Sequence, residues 1–162
     1  MCLDYSSMAT PMKFCFDEKS LSLLRRAGWH SQRNVKTDLY LLNWRKDGYT
    51  VFPHALEFAR SFGGIHLAHR GYGSDAPDES HFDPSVATRR FDRAWAVDKY
   101  EGLAKEILIP VGQGYSGHLT FLIGTQGGFY GGYDDYFCRI GETVEEALAN
   151  ILFGRAFEKL PG

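Results

Sequence analysis

The sequence predicts an α+β fold, with N-terminal helices, a central and mostly antiparallel sheet, and a C-terminal helix. Up to Gly64 the apolar residues recur at the spacing of a helix, and from Ile65 onward they alternate with polar residues as in a half-buried strand. Short connections with hairpin signals join the later segments, which favours antiparallel pairing. Helices, then strands, then a closing helix are the element order of an α+β domain.

Four helices are predicted, over residues 18–27, 38–47, 53–62 and 143–153. Asp17 stands at the position of an N-cap for the first of them. Thr143, with Glu146 three residues later, fits the capping box that begins the last.

The third helix carries the clearest local signals. Pro53 suits its first turn, where the missing N–H costs no hydrogen bond, and Gly63 is predicted to end it in the left-handed conformation. Phe58 and Phe62 share its apolar face, and Trp29 follows the end of the first helix. We therefore expect these three aromatic residues in the core.

Six short segments are predicted to be strands: residues 65–70, 82–84, 107–111, 118–123, 128–133 and 137–140. Residues 71–80 are rich in glycine and aspartate and are predicted to form a loop. The glycines at 124 and 127 mark a hairpin turn. A further short helix is expected over residues 100–105.

The size and composition fit one domain. We expect residues 13–162 of the 162 to form it, with residues 1–12 as a flexible leader. Hydrophobic residues make up 44%, which favours a packed core over disorder. Lys and Arg number 18 against 20 Asp and Glu, a formal net charge of -2, so no overall attraction to nucleic acid or to an anionic membrane is expected.

The cysteines bear on the cellular compartment. Cys2, Cys15 and Cys138 form no CxxC pair, which argues against a disulfide framework or a zinc ribbon and predicts free thiols in a reducing compartment. The first residues lack the pattern of a signal peptide, and no apolar segment approaches the roughly 20 residues that span a bilayer. The expected location is the cytoplasm.

No residue pattern predicts catalysis, a metal or a cofactor. His66 and His69 have the spacing of a metal pair, but residues three apart on a strand point to opposite faces. His54 has no serine or cysteine nucleophile beside it and is predicted to be structural. The glycines on either side of Gln113 lack the lysine of a phosphate-binding loop and are predicted to form a turn.

Two acidic segments are candidate partner-binding surfaces. The first combines aromatic and acidic side chains in a predicted loop: Tyr133, Asp134, Asp135 and Tyr136. The second is an acidic loop that contains Asp75, Asp78 and Glu79. Aromatic anchors beside charges are typical of protein interfaces, whereas the plainer interpretation of both segments is a solvated turn.

A cluster of arginines could serve a different partner. Arg89, Arg90 and Arg93 interleave with Phe91 and Trp95, as in some nucleic-acid-binding surfaces. The same pattern is more typical of a charged outer face over a buried aromatic face, and that is our prediction.

Several short motifs occur in a recognisable order along the chain. They are residues 23–30, Gly48, Tyr49, His54, Phe58, residues 62–64, residues 82–84, Trp95, residues 109–112, residues 146–148, Leu152 and Gly154. Together these motifs resemble the SUKH superfamily, and specifically its third subgroup of bacterial immunity proteins. The resemblance extends from about residue 16 to residue 154.

The resemblance implies an α+β binding domain without catalytic residues. Such a protein binds and neutralises a cognate toxin domain of a polymorphic toxin system, often a nuclease. The family supplies no fixed toxin-contact motif, so the two acidic segments are predicted as the toxin-binding surface on physical grounds, because acids can occupy the basic groove of a nuclease. The alternative is a non-catalytic regulatory or adaptor module of the same fold that binds a host protein.

Overall fold

The computed structural model describes residues 13–161 and confirms the α+β fold class. Its helices are α1 (Glu18–Arg26), α2 (Asp38–Lys46), α3 (Pro53–Phe62), α4 (Pro84–Arg90), α5 (Arg93–Trp95), α6 (Glu101–Ala104) and α7 (Val144–Leu152), with a π-helical turn (Ala96–Tyr100) joining α5 to α6. The four long predicted helices agree with α1, α2, α3 and α7 to within one residue at each end.

The strands form one antiparallel sheet in which spatial order follows chain order. They are β1 (His66–Arg70), β2 (Pro77–His81), β3 (Leu108–Gly114), β4 (Leu119–Gly124), β5 (Phe129–Tyr133), β6 (Tyr136–Gly141) and β7 (Glu158–Lys159). The hairpin predicted around residues 124–127 joins β4 to β5, with Ile123 paired to Phe129. Because α7 packs on β6 and also contacts β1, the sheet curls around this helix.

Local capping explains where the first and last helices begin. The Asp17 carboxylate accepts a hydrogen bond from the backbone N–H of Ser20 at 2.7 Å. The Thr143 hydroxyl accepts one from the N–H of Glu146 at 3.1 Å, and the Glu146 carboxylate accepts one from the N–H of Glu142. Both predicted caps are therefore confirmed.

The loop predicted over residues 71–80 is wrong in its second half. Residues 77–81 pair with β1 as β2, with His69 opposite Asp78. This strand is mostly polar, so its sequence lacks the alternation of apolar and polar residues that predicts a strand. It is a strand because it pairs with β1. The two-residue strand β7 was also not predicted, because so short a segment carries no periodicity.

The strand predicted over residues 82–84 is wrong as well, because α4 begins there. The Asp83 carboxylate accepts hydrogen bonds from the N–H groups of Ser85 (3.0 Å) and Val86 (3.2 Å), and Pro84 occupies the first helical position. An acidic cap followed by proline is a signature of a helix start, and it outweighs the strand preference of Phe82.

The two glycines after α3 have roles that differ from the prediction. Gly63 has φ −54°, so the left-handed residue is Gly64, at φ +88°. Gly63 is required for close packing instead, because a Cβ there would lie 2.5 Å from the carbonyl oxygen of Ala59 and 2.7 Å from a ring carbon of Tyr40. The glycine turn predicted around Gln113 is also wrong, since this residue lies inside the fully buried strand β3.

The core has one cluster on each face of the sheet. The larger one confirms the three predicted core residues, with Trp29 3% exposed and Phe58 and Phe62 fully buried. Phe62 stacks on both of the others, at ring-centroid distances of 5.3 Å and 4.9 Å. The second cluster consists of Tyr100, Ala104, Leu108, Leu122, Tyr130 and Phe137.

Three further expectations from the sequence meet different outcomes. Cys138 is a free, buried thiol, but Cys15 is disulfide-bonded, so the prediction of free thiols is wrong for that residue. Among residues 13–161, no helix has the length and apolar character needed to cross a bilayer. The leader predicted over residues 1–12 lies outside the described residues.

Candidate partner-binding site

The strand order places three turns at one end of the sheet. In an antiparallel meander, every second turn lies at the same end. The β1–β2 turn (residues 71–76), the β3–β4 turn (residues 115–118) and the β5–β6 turn (residues 134–135) therefore meet there. The segment that precedes β7 reaches the same end, because the backbone N–H of Phe157 donates a hydrogen bond to the hydroxyl of Tyr72 at 3.2 Å.

A cavity of about 300 Å³ opens between these turns. Its walls, which we call the aromatic pocket, are formed by Tyr72, Tyr115, His118, Leu119, Tyr133, Tyr136 and Phe157. Tyr72 and Tyr133 are 51% and 50% exposed, so large aromatic surfaces face solvent at its mouth.

The rings of the aromatic pocket stand at different angles. Tyr72 lies against Phe157 at a centroid distance of 4.8 Å and 34° between the ring planes. Tyr115 is perpendicular to Tyr72, at 6.3 Å and 90°. His118 and Tyr133 lie 6.1 Å apart at 52°. The cavity is therefore bounded by ring faces as well as ring edges.

The β3–β4 turn that carries Tyr115 has an uncommon backbone. Tyr115, Ser116 and Gly117 have φ of 56°, 62° and 78°, and the left-handed region costs a residue other than glycine roughly 1–2 kcal/mol. Side chains hold this turn in place. Nδ1 of His118 donates to the carbonyl of Tyr115 at 3.0 Å, and the Ser116 hydroxyl donates to the carboxylate of Asp78 at 3.1 Å.

The β5–β6 turn is held from the core. Asp134 has φ 49°, and its carbonyl accepts a hydrogen bond from the hydroxyl of the buried residue Tyr100. Tyr133 and Tyr136 are paired across the turn, at the ends of β5 and β6. The carboxylates of Asp134 and Asp135 are therefore presented to solvent from an anchored turn.

The acidic residues near the pocket are largely uncompensated. The ion pairs among the described residues are Arg60–Glu57, Arg70–Asp75 at 3.3 Å and Arg139–Glu158 at 2.8 Å. Within residues 13–161, no Lys, Arg or His forms an ion pair with the remaining candidate acids: Asp78, Glu79, Asp134 and Asp135. These four carboxylates therefore lack a direct ion pair within that range, although Arg90 lines the same groove as Asp78 and Glu79.

Two tyrosine hydroxyls of the pocket, those of Tyr115 and Tyr136, remain neutral near pH 7. Burial raises the pKa of Tyr115, and the negative charge of Asp78 raises it further. Burial also raises the pKa of Tyr136. Both phenols keep their protons, so these two residues contribute aromatic surface and hydroxyl donors rather than charge.

The model of the SUKH-3 immunity protein family matches residues 16–154. The chain belongs to this family. Searches of curated proteins and of solved structures found no match. The family match includes the three turns of the aromatic pocket, whereas Phe157 and β7 lie beyond it. Immunity proteins are toxin inhibitors, so a surface suited to binding a protein is the feature to seek in this SUKH-3 protein.

The structure places two of the predicted site residues of this SUKH-3 protein in the walls of the aromatic pocket and the other five in segments that adjoin it. Tyr133 and Tyr136 line it, and Asp134 and Asp135 form the adjoining turn. The second acidic segment is not a single loop, because Asp75 lies in the β1–β2 turn whereas Asp78 and Glu79 lie on β2. This segment adjoins the pocket through the Ser116–Asp78 hydrogen bond.

The histidines considered as ligands or bases have other contacts. His66 is exposed and His69 is buried, as expected for opposite faces of a strand, and His69 bonds the Ser80 hydroxyl at 2.7 Å. Nδ1 of His54 donates to the carbonyl of Thr125 at 3.1 Å, which ties α3 to the β4–β5 turn. Among the described residues, no group of three or more His, Cys, Asp or Glu is placed to hold a metal ion.

The arginine cluster follows the predicted division into two faces. Arg89, Arg90 and Arg93 are exposed, whereas Phe91 and Trp95 are partly buried. Both aromatic rings stack on Tyr100, at 6.1 Å. The aromatic residues thus pack on the second core cluster and are not free for stacking with bases.

Sequence reasoning missed five residues of the pocket: Tyr72, Tyr115, His118, Leu119 and Phe157. The first three lie in turns. The signal that could have found them is the position of those turns in the strand order, because every second turn of an antiparallel meander lies at the same end of the sheet. Had β2 been predicted as a strand paired with β1, the 71–76 and 115–118 turns would have been expected beside the Tyr133–Tyr136 hairpin. No local pattern points to Phe157.

Proposed function

We propose that this SUKH-3 protein binds and neutralises a cognate polymorphic-toxin domain, and that this toxin is a nuclease. Binding uses the aromatic pocket together with the acids beside it: Asp75, Asp78, Glu79, Asp134 and Asp135. The protein acts in the cytoplasm, without catalysis and without a cofactor, and its partner is a protein rather than nucleic acid or a membrane.

The aromatic pocket carries this proposal. Tyrosines that are half exposed around an open cavity are enriched in protein interfaces, where they act as rigid anchors. The turns that carry them are held by side-chain hydrogen bonds, which lowers the entropy that is lost on binding. These features support a preformed docking surface.

The charge distribution supports a nuclease as the toxin. A nuclease must attract phosphates, so its substrate groove is rich in Lys and Arg. The candidate acids without ion-pair partners would meet that groove with complementary charge, speed association and compete with nucleic acid. Occupying the groove is sufficient for inhibition, so the immunity protein needs no reactive group.

The deciding experiment is a survival test with the toxin domain encoded beside this gene. Cells that express the toxin domain alone should die, and cells that also express this protein should survive. Death of cells that contain the folded protein would refute the immunity function. An adaptor that binds a host protein would then be the better account.

The nature of the toxin is tested separately in the same cells. A nuclease should degrade DNA or RNA before membrane integrity is lost, and this protein should prevent the degradation. The purified toxin domain should likewise lose its nuclease activity on addition of one equivalent of this protein. Leakage of intact nucleic acid from dying cells would contradict the nuclease assignment and leave the immunity function in place.

A further inference from the structure

We propose that the aromatic pocket is the binding site for one arginine side chain of the partner. This inference rests on the proposed function for the identity of the partner as a protein, and it adds the chemical group that the pocket recognises. Two independent features favour this ligand: the aromatic walls of the pocket, and the acidic rim formed by Asp78, Asp134 and Asp135.

The walls suit a planar cation on an apolar stem. Tyr72, Tyr115, Tyr133 and Phe157 bring several ring planes to one cavity, with ring-centroid distances of 4.8–6.3 Å between the neighbouring rings Tyr72, Tyr115 and Phe157. A guanidinium group is attracted to the negative face of an aromatic ring and can stack on it. Its three methylene groups can pack against the rings and against Leu119, which is buried.

The rim suits a cation. Asp134 and Asp135 directly follow Tyr133, and Asp78 bonds the turn that carries Tyr115. None of these three acids has an ion-pair partner among the described residues. Of the three, Asp78 has a negative field that reaches a wall of the pocket, since its charge contributes to the raised pKa of Tyr115. A cation in the pocket would be stabilised by the same field.

This combination distinguishes arginine from the other anchors that an aromatic pocket could hold. An aliphatic or aromatic anchor would gain from the rings and nothing from the acids. Lysine would gain from both, but its ammonium is compact and strongly hydrated, whereas the guanidinium is planar and more weakly hydrated. Arginine is also abundant in the groove of a nuclease, because it binds phosphate with two hydrogen bonds.

The test uses small probes and the intact protein, without the toxin. N-acetyl-argininamide, N-acetyl-citrullinamide and N-acetyl-norleucinamide are titrated while the ring signals of the tyrosines are followed by NMR. Citrulline has nearly the shape of arginine without its charge, so this pair isolates the cation. We expect saturable shifts at Tyr115 and Tyr133 with the arginine probe, and affinity about two- to fivefold lower for citrulline.

Three variants locate the binding. Tyr133→Leu removes a ring face and should reduce the affinity for the arginine probe, whereas Tyr133→Phe keeps the ring and should retain it. Asp134→Asn with Asp135→Asn should bring the arginine and citrulline affinities closer together. Both sites are exposed, so these changes leave the core intact.

The result decides the inference without reference to the toxin. Tighter binding of norleucine than of arginine, equal binding of arginine and citrulline, or no shift at the solubility limit of the probes would each overturn the arginine pocket. Loss of survival in the cell test would instead overturn the immunity function. The two failures are therefore distinguishable.

Discussion

The hydroxyl of Tyr100 donates a hydrogen bond to the backbone carbonyl of Asp134. Tyr100 is fully buried, and its ring stacks on Phe137 at 4.5 Å, in the second core cluster. Asp134 lies in an exposed turn with φ 49°. This bond anchors the β5–β6 turn to the second core cluster. The carboxylates of Asp134 and Asp135 are therefore carried by an anchored turn rather than by a free loop.

Replacement of Tyr100 by phenylalanine should remove the hydrogen bond that anchors the β5–β6 turn. We expect the free energy of unfolding to fall by about 0.5–1.5 kcal/mol, because one hydrogen bond is lost and the ring is retained. Tyr49→Phe is the matched control, because the buried hydroxyl of Tyr49 forms no hydrogen bond within residues 13–161. Denaturant unfolding compares the two variants, and an equal loss in both would contradict the role of the Tyr100 bond.

Two glycine-to-alanine changes should have opposite effects. Gly63→Ala should destabilise the fold by about 1–3 kcal/mol, because the new methyl group meets the Ala59 carbonyl and the Tyr40 ring. Gly102→Ala meets no atom within 4 Å and lies in α6, so it should be neutral or stabilising by up to about 1 kcal/mol. Melting temperatures that rank the variants the other way would show that the packing around Gly63 is misassigned.

Removal of two charges beside the pocket should slow association with the toxin domain. Asn suits the left-handed conformation of residue 134, so Asp134→Asn with Asp135→Asn changes charge while keeping the turn. We expect a lower association rate and a weaker dependence of that rate on salt, measured by stopped-flow. Asp47→Asn with Glu142→Gln removes the same charge from exposed positions outside the candidate acids. If both pairs slow association equally, net charge rather than this surface is responsible.

Removal of the exposed ring at the mouth of the pocket should speed dissociation. Tyr133→Ala should raise the dissociation rate of the toxin complex about 30-fold, since an anchor tyrosine contributes roughly 2 kcal/mol. Tyr133→Phe keeps the ring and should remain close to the wild type. Surface plasmon resonance measures both. An unchanged residence time for the alanine variant would place the contact surface elsewhere.

The stability of the protein should fall between pH 7 and pH 5. Burial lowers the pKa of His54 and of His81 in the folded state. Below about pH 6.5 the unfolded chain therefore binds protons that the folded chain does not, and the free energy of unfolding decreases as the pH falls. Above that pH both states are neutral and the contribution is constant.

His54→Gln with His81→Gln should flatten this pH dependence, and His30→Gln, at an exposed residue, should leave it unchanged. Chemical denaturation at several pH values gives the comparison. The idea fails if the slope between pH 7 and pH 5 is the same in the double variant as in the wild type.

Local interactions made much of the fold predictable. The bounds of α1, α3 and α7 follow from a cap, a proline or an apolar face within the segment itself, and the β4–β5 hairpin follows from the glycines in its turn. The order of these elements was sufficient for the α+β class and for the resemblance to the SUKH superfamily. Each of these features depends on residues a few positions apart, so it can be predicted without knowledge of the tertiary structure.

Contacts between distant residues decided the rest. The polar strand β2 exists because it pairs with β1, and Gly63 is required because Tyr40 of another helix packs against it. The aromatic pocket needs Tyr72 and Phe157, 85 positions apart in the chain, on the same end of a sheet. The sequence by itself determined which residues are aromatic or acidic and where α1, α2, α3 and α7 form. Only the packed meander determined that the tyrosines and the acids lie together, because that depends on how many strands separate one turn from the next.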